Sequence, residues 1–153
     1  MRVRHNESMD TATEFGRLIG PLRRAVLRTR RAEALPDLPE AQIELLRALS
    51  EAGALAPREA AARLRVAPST VSNLVRTMTA SGLIERTPSS TDLRTVQLTA
   101  SPHALDLLNR YDRVSTGALR RTLADLAPES RQALDQALPA LAELLTALED
   151  ERG

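Results

Sequence analysis

The sequence predicts a mainly α-helical fold with one small β-hairpin. Apolar residues recur at three- and four-residue spacing along most of the chain, which is the period of an amphipathic helix. Residues 83–99 instead alternate with the two-residue period of a strand. The aromatic residues are limited to Phe15 and Tyr111, so the core must consist of Leu, Val, Ile and Ala. Such a core favours helix packing over a sheet sandwich.

Length and composition exclude several kinds of site. At 153 residues the chain is one domain of ordinary size, with enough length for a core. It has no Cys, which excludes disulfides, thiolate redox sensing and Cys-ligated zinc. His5 and His103 offer no ligand cluster, and there is no Gly-rich phosphate loop. We therefore expect no enzyme, no metal site and no cofactor.

The chain shows no membrane or export signal. No apolar run approaches the roughly twenty residues of a membrane span, and the N-terminus is polar and charged. A cytoplasmic location without a membrane partner is expected. Lysine is absent, so every basic residue except histidine is Arg. This usage fits either nucleic-acid chemistry or the residue usage of a GC-rich genome.

The N-terminal segment is predicted to be one basic helix behind a disordered start. Residues 1–10 are expected to be disordered and residues 11–34 to be helical. Pro21 either begins the main helix or kinks one long helix. Between residues 17 and 31 there are six arginines and no acid. They are either solvated or paired with acids of the C-terminal helices, and a phosphate contact by Arg28, Arg30 or Arg31 is a third alternative.

Residues 35–100 carry the pattern of a helix-turn-helix followed by a hairpin. Helices are predicted for residues 40–51, 57–64 and 68–81, and the last two are joined by the tight connection 65–67. The apolar positions at helix-turn-helix spacing are Ala61, Leu64, Val66, Val71 and Leu74.

The connection itself departs from the common pattern. Many such turns carry Gly where Arg65 stands, so Arg65 requires a permissive turn geometry. The side chain of Val66 is expected to fill the turn.

Residues 68–81 are the candidate recognition helix. Pro68 has its φ preset for the first helical turn, and Gly82 supplies a stop. The apolar stripe of this helix consists of Val71, Leu74, Val75 and Met78. The opposite side has no acid, whereas a merely solvated helix usually mixes Glu with Lys or Arg. Its residues are Ser69, Thr70, Ser72, Asn73, Arg76 and Thr77.

The hairpin is predicted over residues 83–99, with a Pro- and Ser-rich tip at residues 88–94. Leu83 and Glu85 alternate with Ile84 and Arg86, which is the two-residue period of a half-buried strand. Two strands behind a helix-turn-helix form a wing.

This stretch resembles the multiple-antibiotic-resistance regulator (MarR) family of winged-helix transcription factors. Helix-turn-helix, Gly-Leu-Ile-x-Arg, Asp-x-Arg and Leu-Thr in this order form a specific signal. The matching residues are Ser69-Thr70-Val71-Ser72, Gly82-Leu83-Ile84-Glu85-Arg86, Asp92-x-Arg94 and Val96-Gln97-Leu98-Thr99. The expected fold is therefore a winged helix-turn-helix plus a dimerisation region formed by the N- and C-terminal helices. The resemblance implies a homodimer that binds a pseudo-palindromic operator on double-stranded DNA, and we expect a repressor.

A recognition helix in the major groove assigns roles to its polar residues. Its base readers are expected to be Ser69, Thr70, Ser72 and Asn73, which follow Pro68 at the helix start. Asn73 has the groups to pair bidentately with adenine. Arg76 has two alternatives, guanine or a phosphate, and Thr77 is assigned to the DNA backbone.

The wing is expected to contribute Arg94 to the minor groove, where narrow A·T-rich stretches concentrate negative potential. Asp92 is expected to hold the tip by an ion pair to Arg94 or Arg86. The alternative is that Asp92 and Arg94 form only a surface salt bridge.

Residues 101–153 are predicted to form two leucine-rich dimerisation helices, with Pro139 kinking the second. A small winged helix cannot bury so much apolar surface, so a second copy is the expected partner. Charge supports this division. Residues 54–99 contain six arginines against three acids, and residues 101–153 contain six arginines against nine acids.

Two questions stay open at the level of the sequence. The resemblance implies a small-molecule effector, and Arg17, Arg23 and Tyr111 are candidates to line its cleft. A winged helix can also serve as a protein-interaction module without DNA. Such a module should show apolar anchors on the polar side of residues 68–81, and the sequence has none there.

Overall fold

The computed structural model describes residues 4–92 and 94–151. These residues divide into two compact units, one up to Ser115 and one from Thr116 onward, and the boundary falls within the fifth helix. The elements in chain order are α1 (Arg4–Ala32), α2 (Glu40–Ala52), α3 (Pro57–Leu64), α4 (Pro68–Ala80), β1 (Ile84–Pro88), β2 (Val96–Ala100), α5 (Pro102–Ala124) and α6 (Pro128–Asp150). A mainly helical fold with a small β-wing is thus confirmed.

The first helix is longer than the sequence analysis predicts. Helix α1 begins at Arg4, whereas residues 1–10 were expected to be disordered. Neither Pro nor Gly interrupts residues 4–15, so nothing in the sequence stops the helix there. Residues 1–3 lie outside the described part. Pro21 lies inside α1, so it does not begin a separate helix.

The core of the first unit lies beneath α4. Helices α3 and α4 pack against α2, and the hairpin closes the remaining side. Helix α5 contributes Ala104, Leu107, Leu108 and Tyr111 to the same cluster. The largest fully buried side chains are Tyr111, Leu45, Leu46, Leu49, Met78, Ile84, Leu98 and Val71. Apart from Tyr111 they are aliphatic or Met, in keeping with the shortage of aromatic residues.

The turn between α3 and α4 has the permissive geometry that Arg65 requires. Arg65 adopts the left-handed conformation, with φ 54° and ψ 42°. Its N–H donates to the carbonyl of Ala62 at 3.2 Å, and the N–H of Val66 donates to the carbonyl of Ala61 at 3.1 Å. This pair of bonds is a Schellman motif. The prediction that the Val66 side chain fills the turn is wrong, because that side chain is 37% exposed and only its N–H closes the turn.

The hairpin pairs β1 and β2 antiparallel, with Arg86 opposite Leu98. Leu55 extends the sheet by exchanging two backbone hydrogen bonds with Leu98, of 3.1 and 2.8 Å. The alternating burial predicted for β1 is not observed, since Leu83 and Ile84 are both buried. The N–H of Leu83 donates to the carbonyl of Met78 at 2.8 Å. This bond belongs to the end of α4, so Leu83 enters the core before the strand begins.

The junction of the hairpin with α5 is fixed by Ser101, which is buried. Its Oγ donates to the carbonyl of Gly82 at 2.6 Å and accepts from the N–H of Ala104 at 3.1 Å. Ser101 is thus the N-cap of α5 and also connects that helix to the end of α4.

The second unit contains the end of α5 and all of α6. Every described residue of α6 is at least partly exposed, and Pro139 lies inside the helix. The exposed leucines of this helix are Leu134, Leu138, Leu141, Leu144, Leu145 and Leu148. None of the described helices is long and apolar enough to cross a membrane.

The strained conformation of Arg65 yields a prediction about stability. A left-handed conformation costs a residue with a Cβ roughly 1–2 kcal/mol, whereas glycine adopts it freely at an entropic cost of about 0.5–1 kcal/mol. Arg65→Gly should therefore raise the free energy of unfolding by up to about 1 kcal/mol.

Arg65→Ala is the matched control for this substitution, because it removes the same guanidinium but keeps the Cβ. Urea unfolding at fixed protein concentration compares the two variants. If Arg65→Ala were as stable as Arg65→Gly, the backbone strain would contribute nothing.

Candidate nucleic-acid interface

The exposed side of α4 carries every residue that the sequence analysis assigned to the recognition helix. Pro68, Ser69, Thr70, Ser72, Asn73, Arg76 and Thr77 are all exposed. The opposite side buries Val71, Val75 and Met78. No carboxylate occurs anywhere in α4. The helix therefore presents short hydrogen-bonding groups and one guanidinium, with no negative charge of its own to repel a polyanion.

Two side-chain hydrogen bonds organise this surface. Arg76 Nη2 donates to Asn73 Oδ1 at 2.9 Å. Ser72 Oγ donates to the carbonyl of Pro68 at 3.1 Å. Within the described ranges, no hydrogen bond is made by the side chains of Ser69 or Thr70. Of the four predicted base readers, two are thus already engaged inside the protein.

The tip of the wing is a compact, hydrogen-bonded turn. The N–H of Ser89 donates to the carbonyl of Thr95 at 2.7 Å. The buried Ser89 side chain also lies 3.0 Å, oxygen to oxygen, from the hydroxyl of Thr91. The tip is therefore closed by short polar side chains.

The predicted ion pair of Asp92 is wrong. Asp92 Oδ1 accepts from the backbone N–H of Arg94 at 2.9 Å, and Oδ2 accepts from the hydroxyl of Thr95 at 3.2 Å. Among residues 4–92 and 94–151, Asp92 forms no ion pair with Arg94 or Arg86. Its carboxylate caps the turn two residues ahead, which is the usual local bond of an Asp in a turn. Asp92 therefore fixes the backbone at the tip and leaves both guanidinium groups unpaired.

Most arginines of residues 54–99 form no ion pair with a carboxylate that the structure describes. Arg63 pairs with Glu51 at 2.6 Å. Four other arginines are exposed and form no ion pair with any residue the structure describes, namely Arg58, Arg76, Arg86 and Arg94. Arg58, in the first turn of α3, was not singled out from the sequence. Arg58 belongs to the excess of arginines over acids in residues 54–99, and that excess was the sequence signal for it.

An ion pair between side chains joins α2 to α5. Arg47 on α2 forms a two-pronged pair with Asp112 on α5, with distances of 2.7 and 3.3 Å. This hydrogen bond raises the pKa of Arg47. An arginine is charged at any ordinary pH, so the pair does not titrate with Arg47.

A cavity of about 570 Å³ lies between the end of α1, the linker to α2 and Tyr111. Of the three residues named as candidates for an effector cleft, Tyr111 lines this cavity, whereas Arg17 and Arg23 do not. These two arginines pair with Glu14 at 2.7 Å and Glu40 at 2.9 Å. The arginines that line the cavity are Arg24, Arg28, Arg30 and Arg31.

Tyr111 closes one side of this cavity. Its hydroxyl donates to the carbonyl of Pro36, and the guanidinium of Arg30 lies 4.9 Å from its ring centroid. Burial raises the pKa of the Tyr111 phenol above its ordinary value. Arg30 also donates to Ser115 at 3.2 Å, and Arg31 pairs with Asp37 at 2.9 Å. Among the ion pairs that the structure describes, the acids that pair with α1 arginines thus come from α1, the linker and α2.

Comparisons with known proteins agree with this geometry. The sequence model of the MarR family matches residues 37–95. No curated protein sequence gives a significant match.

Solved structures share the fold over nearly the whole chain. RV1404 from Mycobacterium tuberculosis has a TM-score of 0.79 at 24% identity, covering 88% of this chain and 92% of its own. The YusO protein from Bacillus subtilis has a TM-score of 0.70 at 21% identity, covering 94% and 99%. A MepR mutant from S. aureus, solved bound to an oligodeoxyribonucleotide, has a TM-score of 0.66 at 18% identity, covering 90% and 97%. Residues 37–95 of this chain thus match the MarR family model, and the chain as a whole shares the fold of these solved structures.

Proposed function

We propose that the chain is a transcriptional regulator that binds double-stranded DNA sequence-specifically as a homodimer. The observation that carries this proposal is the exposed side of α4, which has seven polar or small residues and no acid. An α-helix fits the major groove of B-DNA, where each base pair presents a distinct set of donors and acceptors. The oligodeoxyribonucleotide bound to the MepR mutant of similar fold supports the same function.

In this proposal the N-terminal half of α4 reads base edges through Ser69, Thr70, Ser72 and Asn73. Arg76 reaches deeper into the groove, while Pro68 and Thr77 lie against the DNA backbone. Arg86 and Arg58 contact phosphates, since both are exposed without a carboxylate partner in the described part. Phosphate contacts position the helix, and base contacts select the sequence.

The wing enters the minor groove with Arg94. Asp92 supports this role indirectly, because it accepts the backbone N–H of Arg94 and so fixes the turn from which that side chain extends. A narrow A·T-rich minor groove attracts such an arginine most strongly.

A second copy covers the apolar surfaces that the isolated chain exposes. Phe15, Leu18, Ile19 and Leu22 of α1 are exposed, as are six leucines of α6. Monomers rarely expose so many large apolar side chains on adjacent turns. The two helices also carry opposite charge, since α1 is rich in Arg and α6 in Asp and Glu. We therefore propose that residues 11–34 and 101–153 form the dimer interface, which leaves residues 35–100 free for DNA.

An effector of anionic character would fit the cavity beside Tyr111. Arg24 and Arg28 line it and form no ion pair with described residues. An anion there would bridge α1 to the linker that Tyr111 holds. An effector that binds one arrangement of the lobes better than another shifts the population and so changes operator affinity. We propose that the chain acts as a repressor released in this way, in the cytoplasm of a bacterium.

The first test of this function is selection of bound sites from a library of random-sequence duplexes. The full chain should enrich a pseudo-palindrome whose half-sites lie about one helical turn apart, because two symmetric helices enter successive major grooves. Binding should weaken steeply with salt, since phosphate contacts release counterions. A chain that binds no duplex even at low salt is not a DNA-binding regulator, and the protein-interaction alternative would replace it.

The second test concerns the wing. Arg94→Ala should weaken operator binding and leave folding unchanged, because the side chain is exposed and makes no packing contact of consequence. The loss should shrink on operators whose flank is G·C-rich. Arg63→Ala is the matched control and should bind nearly like the wild type, because the guanidinium of Arg63 is already paired with Glu51. Equal affinity of Arg94→Ala and wild type in fluorescence anisotropy would refute the minor-groove role.

The third test concerns assembly. Light scattering should give twice the chain mass of 16.7 kDa. Leu138 and Leu145 are 60% and 59% exposed in the single chain, so replacing both with Glu should cost the isolated fold little. The double substitution should nonetheless produce monomers.

Gln136→Glu adds one charge on the opposite side of α6 and serves as the control, which should remain dimeric. A dimer that tolerates both leucine substitutions would show that α6 is not part of the interface.

A further inference from the structure

The hydrogen bond between Arg76 and Asn73 decides which atoms α4 can offer to a base. The two residues are one turn apart on the exposed side of the helix, and Arg76 Nη2 donates to Asn73 Oδ1 at 2.9 Å. No other hydrogen bond or ion pair of either side chain occurs within the described residues. Among the described residues, this bond is therefore the one hydrogen bond that orients the two side chains before DNA binds.

This bond fixes the orientation of the Asn73 amide. A guanidinium has five N–H donors and no acceptor, so the amide atom that faces it must be the oxygen. The amide nitrogen, with its two N–H groups, then points away from Arg76. The free N–H groups of the guanidinium are donors as well. Together the two side chains present mostly donors, and the remaining lone pair of the amide oxygen lies beside the guanidinium N–H groups.

Such a pair does not match adenine. Bidentate pairing of Asn with adenine needs the amide oxygen to accept from N6 and the amide nitrogen to donate to N7. Here the oxygen already accepts from Arg76, so an N6 amino group that approached its second lone pair would lie against the guanidinium N–H donors. Guanine presents two acceptors, O6 and N7, in the major groove and no donor on that edge. Its edge is also the one that a positive charge favours.

We infer that Asn73 and Arg76 act as one donor-rich unit that selects guanine in each half-site. This inference rests on the proposed DNA-binding function and names the base that this part of α4 reads. It replaces the adenine contact that the residue type of Asn73 alone suggests. It also gives Arg76 a second role, since Arg76 holds the amide in the orientation that excludes adenine.

Site selection with the full-length chain tests the inference. The wild type should enrich guanine at one symmetric pair of positions, with a preference over adenine of roughly tenfold or more. Asn73→Ala should relax the preference at that pair. Arg76→Lys retains a donor for Asn73 Oδ1, so guanine should remain preferred. Arg76→Met keeps a long side chain but has no donor, so the amide oxygen becomes free and the preference should shift to adenine.

Two further variants separate the possible outcomes. The double substitution Asn73→Ala with Arg76→Met should lose the adenine preference, because that preference requires the released amide. Thr79→Ala, on an exposed position of α4 outside the site, should select the wild-type operator. Circular dichroism of each variant establishes that the helix is intact.

The inference is overturned if the wild type selects adenine at the position that Asn73→Ala relaxes. It is also overturned if Arg76→Met loses guanine without gaining adenine, because Arg76 would then read the base alone. In either case an operator is still found, and the proposed function stands. If no variant, wild type included, enriches any duplex, the proposed function fails together with the inference.

Discussion

What α4 can offer to DNA depends on the burial of its other side. Val71 and Met78 are completely buried, and they hold the helix against the aliphatic core formed with α2, the hairpin and α5. Because a helix repeats every 3.6 residues, seating these positions turns a fixed set of polar positions outward. A substitution that disturbs the seat would therefore rotate or loosen every proposed base contact at once. The packing of one side of α4 therefore determines which side chains its other side exposes.

The turn before α4 shows what this constraint costs. The Schellman motif at Arg65 sets the angle between α3 and α4, and it requires a left-handed residue at a position where the chain has no glycine. Proteins tolerate such strain where the surroundings determine the conformation. Here the surroundings are two helices packed on a common core. Arg65 also keeps a positive charge in the turn beside the candidate interface, which glycine would not supply.

The sequence was sufficient for the fold and for which residues of α4 are exposed, but not for the bonds that their side chains form. Periodicity located α4 because apolar spacing reports which side of a helix is buried. It could not show that Asp92 caps a backbone N–H, because carboxylate and guanidinium residue types suggest an ion pair whichever bond forms. It likewise missed the orientation of Asn73, which depends on a neighbour one turn away. The arginines that line the cavity are not the predicted ones, because Arg17 and Arg23 form ion pairs with nearby carboxylates instead.

The turn at the wing tip has a consequence for how fast the protein would meet its target. Since Asp92 bonds to the backbone, neither Arg94 nor Arg86 forms an ion pair with a residue that the structure describes. Their field extends into solvent and attracts a polyanion over roughly a Debye length, about 8–10 Å at moderate ionic strength. If the wing docks on DNA as proposed, no ion pair among the described residues has to break for Arg94 or Arg86 to make contact. Unpaired guanidinium groups of this kind mainly raise the association rate, because electrostatic steering has its greatest effect on that rate.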